Sequence, residues 1–201
     1  MASIDEVRLN SAELTRLLER VKSTSVTRGD SSECREDWSR ACSDFHEQFD
    51  RLAFPGGNEG RAKAREGDAA ALKTAIVYLI ADPRHFRSGY EKEDIWGWLK
   101  RSKLTISQVA LLERVALGYL DRRISREFWG MCKAMARIGR AGFWAQVAER
   151  ARLNGTPEAF RAVFLLSYGA SIHAGAWNRR LLYRSVILQK YVKKVAGTGE
   201  S

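Results

Sequence analysis

The amino-acid sequence predicts an all-α fold, a compact bundle or pair of small bundles built from short helices. Apolar residues recur at spacings of three and four almost throughout, as expected of helices that bury one stripe. Alternating β-branched runs bounded by turn pairs are scarce. Three prolines in 201 residues leave room for many uninterrupted helices, and 45% apolar residues against 29% charged suffice to bury a core. The length suits one domain or two small helical ones.

Taken in order, the first helix is expected to start near Ser11 as a cap and to run through Leu14, Leu17, Leu18 and Val21. The polar stretch from Ser23 to Ser32 reads as a linker. A second helix over about Glu36 to Leu52 carries Trp38, Cys42, Phe45, Phe49 and Leu52 on one stripe and stops at Pro55-Gly56-Gly57. Asp68 to Ala81 is a strongly apolar helix that ends before Asp82-Pro83. Glu93 to Arg101 follows, with Ile95, Trp96 and Leu99. Trp96 and Trp98 flank Gly97, so the two indoles are expected to point away from each other; both read first as core or interface anchors, and an exposed one could stack on a base or seat a partner.

Thr105 caps a longer helix with Leu112, Val115, Ala116 and Leu120, and Ser125 caps another with Phe128, Met131, Cys132, Met135 and Ile138, ending at Gly139. Gly142 to Leu153 is the next. Thr156-Pro157-Glu158 is a helix start, with proline in the first turn behind a threonine cap. That helix is expected to loosen from Gly169, and a last one covers about Trp177 to Val195.

Charge divides the chain unequally. Residues 1–60 hold eight basic and twelve acidic side chains, a net of −4, and residues 61–201 carry +14. Two segments are therefore expected: acidic N-terminal helices that dock protein over 1–60, and a basic helical bundle over 61–201. A net charge of +10 favours a polyanionic partner. Three cysteines without metal-ligand spacing exclude a disulfide scaffold and fit a reducing, cytoplasmic setting. MASIDEVRLN lacks the apolar segment of a signal peptide, and no apolar run approaches the roughly 18 residues of a membrane span.

The most informative cations lie in the Ser125-capped helix. At 100° per residue Arg126, Lys133, Arg137 and Arg140 fall within about 60° of one another, opposite Phe128, Met131, Met135 and Ile138. Burying the apolar side would therefore present four cations in a row over about 21 Å, a spacing able to meet several phosphates. Arg179, Lys190, Lys193 and Lys194 gather similarly on the last helix, where the helix dipole offers a ligand-free reason for the final two. Lys100, Arg101 and Lys103 form a basic turn, as do Arg84-His85-Phe86-Arg87 and Arg122-Arg123.

No phosphate-binding loop, nucleophile elbow, zinc-protease helix or dinucleotide fingerprint is present, so no enzyme activity, cofactor or metal is expected. The one dense acid–histidine group, Asp44, His46, Glu47 and Asp50, sits on an amphipathic helix and reads first as a solvated or docking face.

The order of several segments resembles the small-subunit family of CRISPR-associated Cascade surveillance complexes, especially the type I-E kind. The resembling pieces are Phe49-Asp50-Arg51-Leu52-Ala53-Phe54-Pro55-Gly56-Gly57, the helix Ala70 to Ala81, Asp94-Ile95-Trp96-Gly97-Trp98-Leu99, Leu111-Leu112-Glu113-Arg114 and Ile124-Ser125-Arg126-Glu127-Phe128-Trp129. They span about residues 45–140. The chain departs from the family in a shorter stretch between two C-terminal helices and in an added helical pair after Asn154. The resemblance implies two small helical bundles without catalysis, neighbouring protein subunits as partners, and a basic face toward a guide–target duplex or a displaced DNA strand. The expected function is thus a non-catalytic subunit of a ribonucleoprotein that binds RNA or DNA through phosphates, with self-association as a further option. The alternatives are a helical adaptor or mobile-element accessory factor that binds no nucleic acid, and a divalent-metal nuclease built on Asp44, His46 and Asp50.

Overall fold

A computed structural model describes residues 2–153 and 155–173, and among them the chain forms nine α-helices and no strand. The first is α1 (Ile4–Thr27). It starts seven residues ahead of the expected cap, because Ser3 and Glu6 close a reciprocal capping box. Ser11 lies inside the helix and is buried, and its hydroxyl accepts from the Arg84 amide at 3.0 Å. Of the polar stretch from Ser23 to Ser32, expected as a linker, only residues 28–31 lie outside helices. The hydroxyls of Ser23, Thr24 and Ser25 donate back to carbonyls three or four residues earlier, at 2.7–2.9 Å, and the helix runs on to Thr27.

Ser31 caps α2 (Ser32–Leu52) by accepting from the Cys34 amide. Gly56, in the left-handed region at φ 81°, turns the chain directly into α3 (Gly57–Glu66). This helix has no apolar stripe, and only Ala64 on it is buried, so periodicity does not announce it. It is held from outside: Arg61 donates from two nitrogens to both oxygens of Glu91, at 3.1 and 3.0 Å.

The centre is made by α4 (Ala69–Ala81), capped by Asp68, and α5 (Ser88–Leu99). Helix α4 is apolar on most sides, as a buried helix is expected to be, whereas α5 is largely covered although it carries Glu91-Lys92-Glu93-Asp94. Trp96 is wholly buried against Tyr119 and Trp98 is 7% exposed against Phe54, so neither indole points outward. Both indoles are core anchors, as expected, because α5 packs against α3, α4 and α7 at once.

Helix α6 (Ile106–Tyr119) carries the expected Thr105 cap, completed by Gln108. Helix α7 (Arg126–Ile138) buries Phe128, Met131, Cys132 and Met135 as its periodicity predicts. Together α1–α7 form one compact unit ending at Ile138.

The second unit begins at Gly139. In it α8 (Ala141–Ala151) packs on α9 (Pro157–His173), with Phe143 and Val147 facing a core of Ala159, Ala162, Phe164 and Leu165. Thr156 caps α9 by accepting from the Ala159 amide. Gly169 does not loosen this helix. A side chain there would collide with the Trp144 indole, so the glycine is a packing position. The expected last helix, Trp177 to Val195, lies outside the described residues.

The change of charge near residue 60 is not a unit boundary. Helix α1 packs on α2 and α4, and α2 on α3, so acidic and basic segments share one core. Charge pattern records what meets solvent, whereas buried apolar area decides which helices belong together.

Candidate nucleic-acid interface

The surface carrying the expected cations is set by one close helix contact. Gly130 on α7 faces the α5 backbone, and a Cβ there would stand 3.1 Å from Glu93 Cα and 3.3 Å from Trp96 Cβ. Hydrogen in place of a side chain lets the two helices approach nearly backbone to backbone. The C-terminal end of α5 thereby lies beside the exposed side of α7.

Two groups of cations far apart in sequence meet here. Lys100 and Arg101, at the end of α5, and Lys133, on α7, line one open cleft of about 210 Å³, with Glu93, Asp94, Gly97, Trp98 and Gly130 completing it. Arg137 is one turn further along α7 and close enough to repel Lys100 electrostatically. Partial burial pushes the Lys100 ammonium below its ordinary value, and Lys133, Arg101 and Arg137 push it in the same direction. Among the described residues no carboxylate pairs with Lys100, Arg101, Lys133 or Arg137 within 4 Å. An anion placed among them would relieve that repulsion. The last carbonyls of α5 supply a weaker, ligand-free attraction for Lys100 and Arg101.

The other expected positions are distributed differently. Arg126 is not a free member of the row. Its Nε donates to Glu93 Oε2 at 2.8 Å, and its guanidinium lies 4.1 Å over the Tyr90 ring. Arg140 is not on α7 at all, since the helix ends at Ile138 and Arg140 takes extended backbone as the N-cap of α8 in the second unit. The expected four-cation ridge is therefore two cations of α7 joined by two from α5. Lys103 is exposed in the connection to α6. Arg179, Lys190, Lys193 and Lys194 lie outside the described residues.

Beside this face the α4–α5 connection is firmly built. Asp82 caps α4 in the left-handed region at φ 51° and Arg87 caps α5 at φ 64°, conformations that cost a side-chain-bearing residue about 1–2 kcal/mol. Asp82 receives Lys92 and Arg122, each at 2.7 Å. His85 packs between α2 and α4: its Nδ1 meets the Phe86 carbonyl at 2.9 Å and its Nε2 the Tyr78 hydroxyl at 3.0 Å. A carbonyl only accepts, so Nδ1 donates and the neutral ring accepts a hydrogen bond from the Tyr78 hydroxyl at Nε2. Burial pushes the His85 imidazole below the ordinary histidine value, with Lys92 adding to the effect against the Phe86 carbonyl.

A pH dependence follows from that burial. The unfolded chain binds the His85 proton more readily, so this contribution to stability is complete above about pH 6.5 and is lost as pH falls from there through the lower folded value. Urea unfolding at pH 7.5 and 5.5 is expected to show a larger loss for the native chain than for His85→Asn. Equal losses would assign the pH dependence elsewhere.

Asp44, His46 and Asp50 share α2, where Asp44 pairs with Arg20 at 3.1 Å. Among the described residues no group of three or more histidine, cysteine, aspartate or glutamate side chains is arranged to hold a metal ion. No helix there is long and apolar enough to cross a membrane.

The chain matches no family model, no curated protein and no solved structure.

Two features of this face lie beyond the helical-wheel reading. The joining of Lys100 and Arg101 to Lys133 and Arg137 depends on Gly130, whose only sequence signal is a glycine on the cationic side of an otherwise strong helix. The engagement of Arg126 depends on Tyr90 and Glu93, more than 30 residues away.

Proposed function

We propose that this chain is a non-catalytic nucleic-acid-binding subunit of a larger ribonucleoprotein, and that it grips a phosphate backbone with Lys100, Arg101, Lys133 and Arg137. The observation that carries this reading is the gathering of four cations from two helices without a carboxylate partner among the described residues. Such a cluster raises the energy of the unliganded fold, and bound phosphates lower it. Contacts of this kind hold a strand without reading its bases. The motif order shared with Cascade small subunits is the basis for proposing a CRISPR surveillance complex as the setting, with the acidic α1 and α2 docking a neighbouring protein.

The test is the salt dependence of binding to a labelled oligonucleotide. Lys133→Glu with Arg137→Glu is expected to weaken binding at least about tenfold and to lower the slope of log affinity against log salt by about 1.5–2. Unchanged affinity, or elution of the native chain from heparin at low salt, would favour the adaptor reading.

A further inference from the structure

Arg126 differs from the cluster beside it in being fixed. Glu93 holds its Nε at 2.8 Å, Tyr90 lies 4.1 Å beneath its guanidinium, and Arg87 stands 5.4 Å from the same ring. About half of the Arg126 side chain and of Tyr90 remains exposed, 49% in each case. The carboxylate offsets much of the charge, so Arg126 is a poor phosphate contact. Its plane, however, is already oriented, and a preoriented group loses little freedom on binding. Guanidinium planes and aromatic rings are the surfaces on which unpaired bases stack. Arg126 precedes Lys133 by seven residues, about 10 Å along α7, and its partner Glu93 lines the same cleft as Lys100, Arg101 and Lys133.

We propose that an unpaired base of a single nucleic-acid strand stacks on the Arg126–Tyr90 platform while phosphates of the same strand lie against Lys133, Arg137, Lys100 and Arg101. This rests on the phosphate-binding reading and adds a selectivity to it. Within a duplex both faces of each base are covered by neighbours, so the platform discriminates in favour of unpaired strands.

Anisotropy titrations with a DNA and an RNA oligomer of one sequence, each single-stranded, as a duplex and with one abasic position, test the proposal. Arg126→Lys keeps the charge and the reach to Glu93 but removes the plane, and Tyr90→Leu removes the ring. Each is expected to weaken single-strand binding about tenfold while duplex affinity and the salt slope stay unchanged. The abasic strand should bind the native chain more weakly and the two variants no worse than the intact strand does. A drop confined to DNA or to RNA identifies the strand type; a drop in both shows that the 2′-hydroxyl is not read, and either supports stacking. Thermal unfolding of both variants checks that the fold is retained. If Lys133→Glu with Arg137→Glu weakens every probe while Arg126→Lys and Tyr90→Leu weaken none, the platform is refuted and the phosphate reading stands. If that double variant binds all probes normally, the phosphate reading itself is wrong.

Discussion

Replacing Lys92 with alanine is expected to cost the first unit about 3 kcal/mol or more of stability, the range found when one partner of a buried ion pair is removed. Lys92 lies on the buried side of α5 and is only 3% exposed. Its ammonium donates to Asp82 at 2.7 Å and stands 3.9 Å from Glu127, joining the end of α4 to the start of α7. Truncation would leave Glu127, itself largely covered, without that cation and would leave Asp82 to Arg122 and the more distant Arg84. Because Arg122 persists, the lower end of the range is expected. Urea unfolding measures the effect. Lys92→Met separates charge from volume: it fills the space but should be nearly as damaging as alanine, whereas adding Glu127→Gln should recover part of the loss. A change below about 1 kcal/mol in Lys92→Ala would show that water already reaches these carboxylates.

The second large effect is expected at Gly130, where fold and site depend on the same missing side chain. On helix propensity alone, alanine for glycine in α7 would stabilise by about 1 kcal/mol. The α5 backbone opposes this: Glu93 Cα and its carbonyl oxygen lie 3.1 and 3.2 Å from where a Cβ would sit, and backbone cannot rotate aside as a side-chain tip can. Gly130→Ala is therefore expected to be destabilising in spite of propensity, and Gly130→Val to cost about 3 kcal/mol through overpacking. Separating α5 from α7 also separates Lys100 and Arg101 from Lys133 and Arg137, so polynucleotide affinity should fall in Gly130→Ala although no surface charge has changed. Stability equal to or above that of the native chain would mean that the two helices yield freely.

The all-α class was legible because it depends on local properties. The cores of α4, α6 and α7 follow from apolar spacing, and the Thr105 and Thr156 caps follow from residue type immediately before an apolar run. Where periodicity was silent, polar side-chain contacts decided. Helix α3 has one buried residue and is tied down by Glu91, and the hydroxyl-rich end of α1 continues because its side chains bond back to its own carbonyls. The N-terminus of α1 was nevertheless open to a sequence reading, since Ser3 and Glu6 have the spacing of a capping box.

The candidate site was legible by halves. Lys133 and Arg137 on one exposed side of α7, and Lys100 and Arg101 in a basic turn, are properties of short segments. Their union is not, because it requires a distance between two helices that a single glycine sets. A helical wheel places side chains around an axis but contains no neighbour, so it cannot show that Glu93 and Tyr90 engage Arg126, or that the helix stops before Arg140 joins the row. Sequence by itself determined the all-α class, the buried stripes of the strongly periodic helices and the sign of the charge they present, since each arises within a few turns of chain. Tertiary structure alone decided which cations stand together and which are already neutralised, because electrostatic energy depends on separation in space and not along the chain.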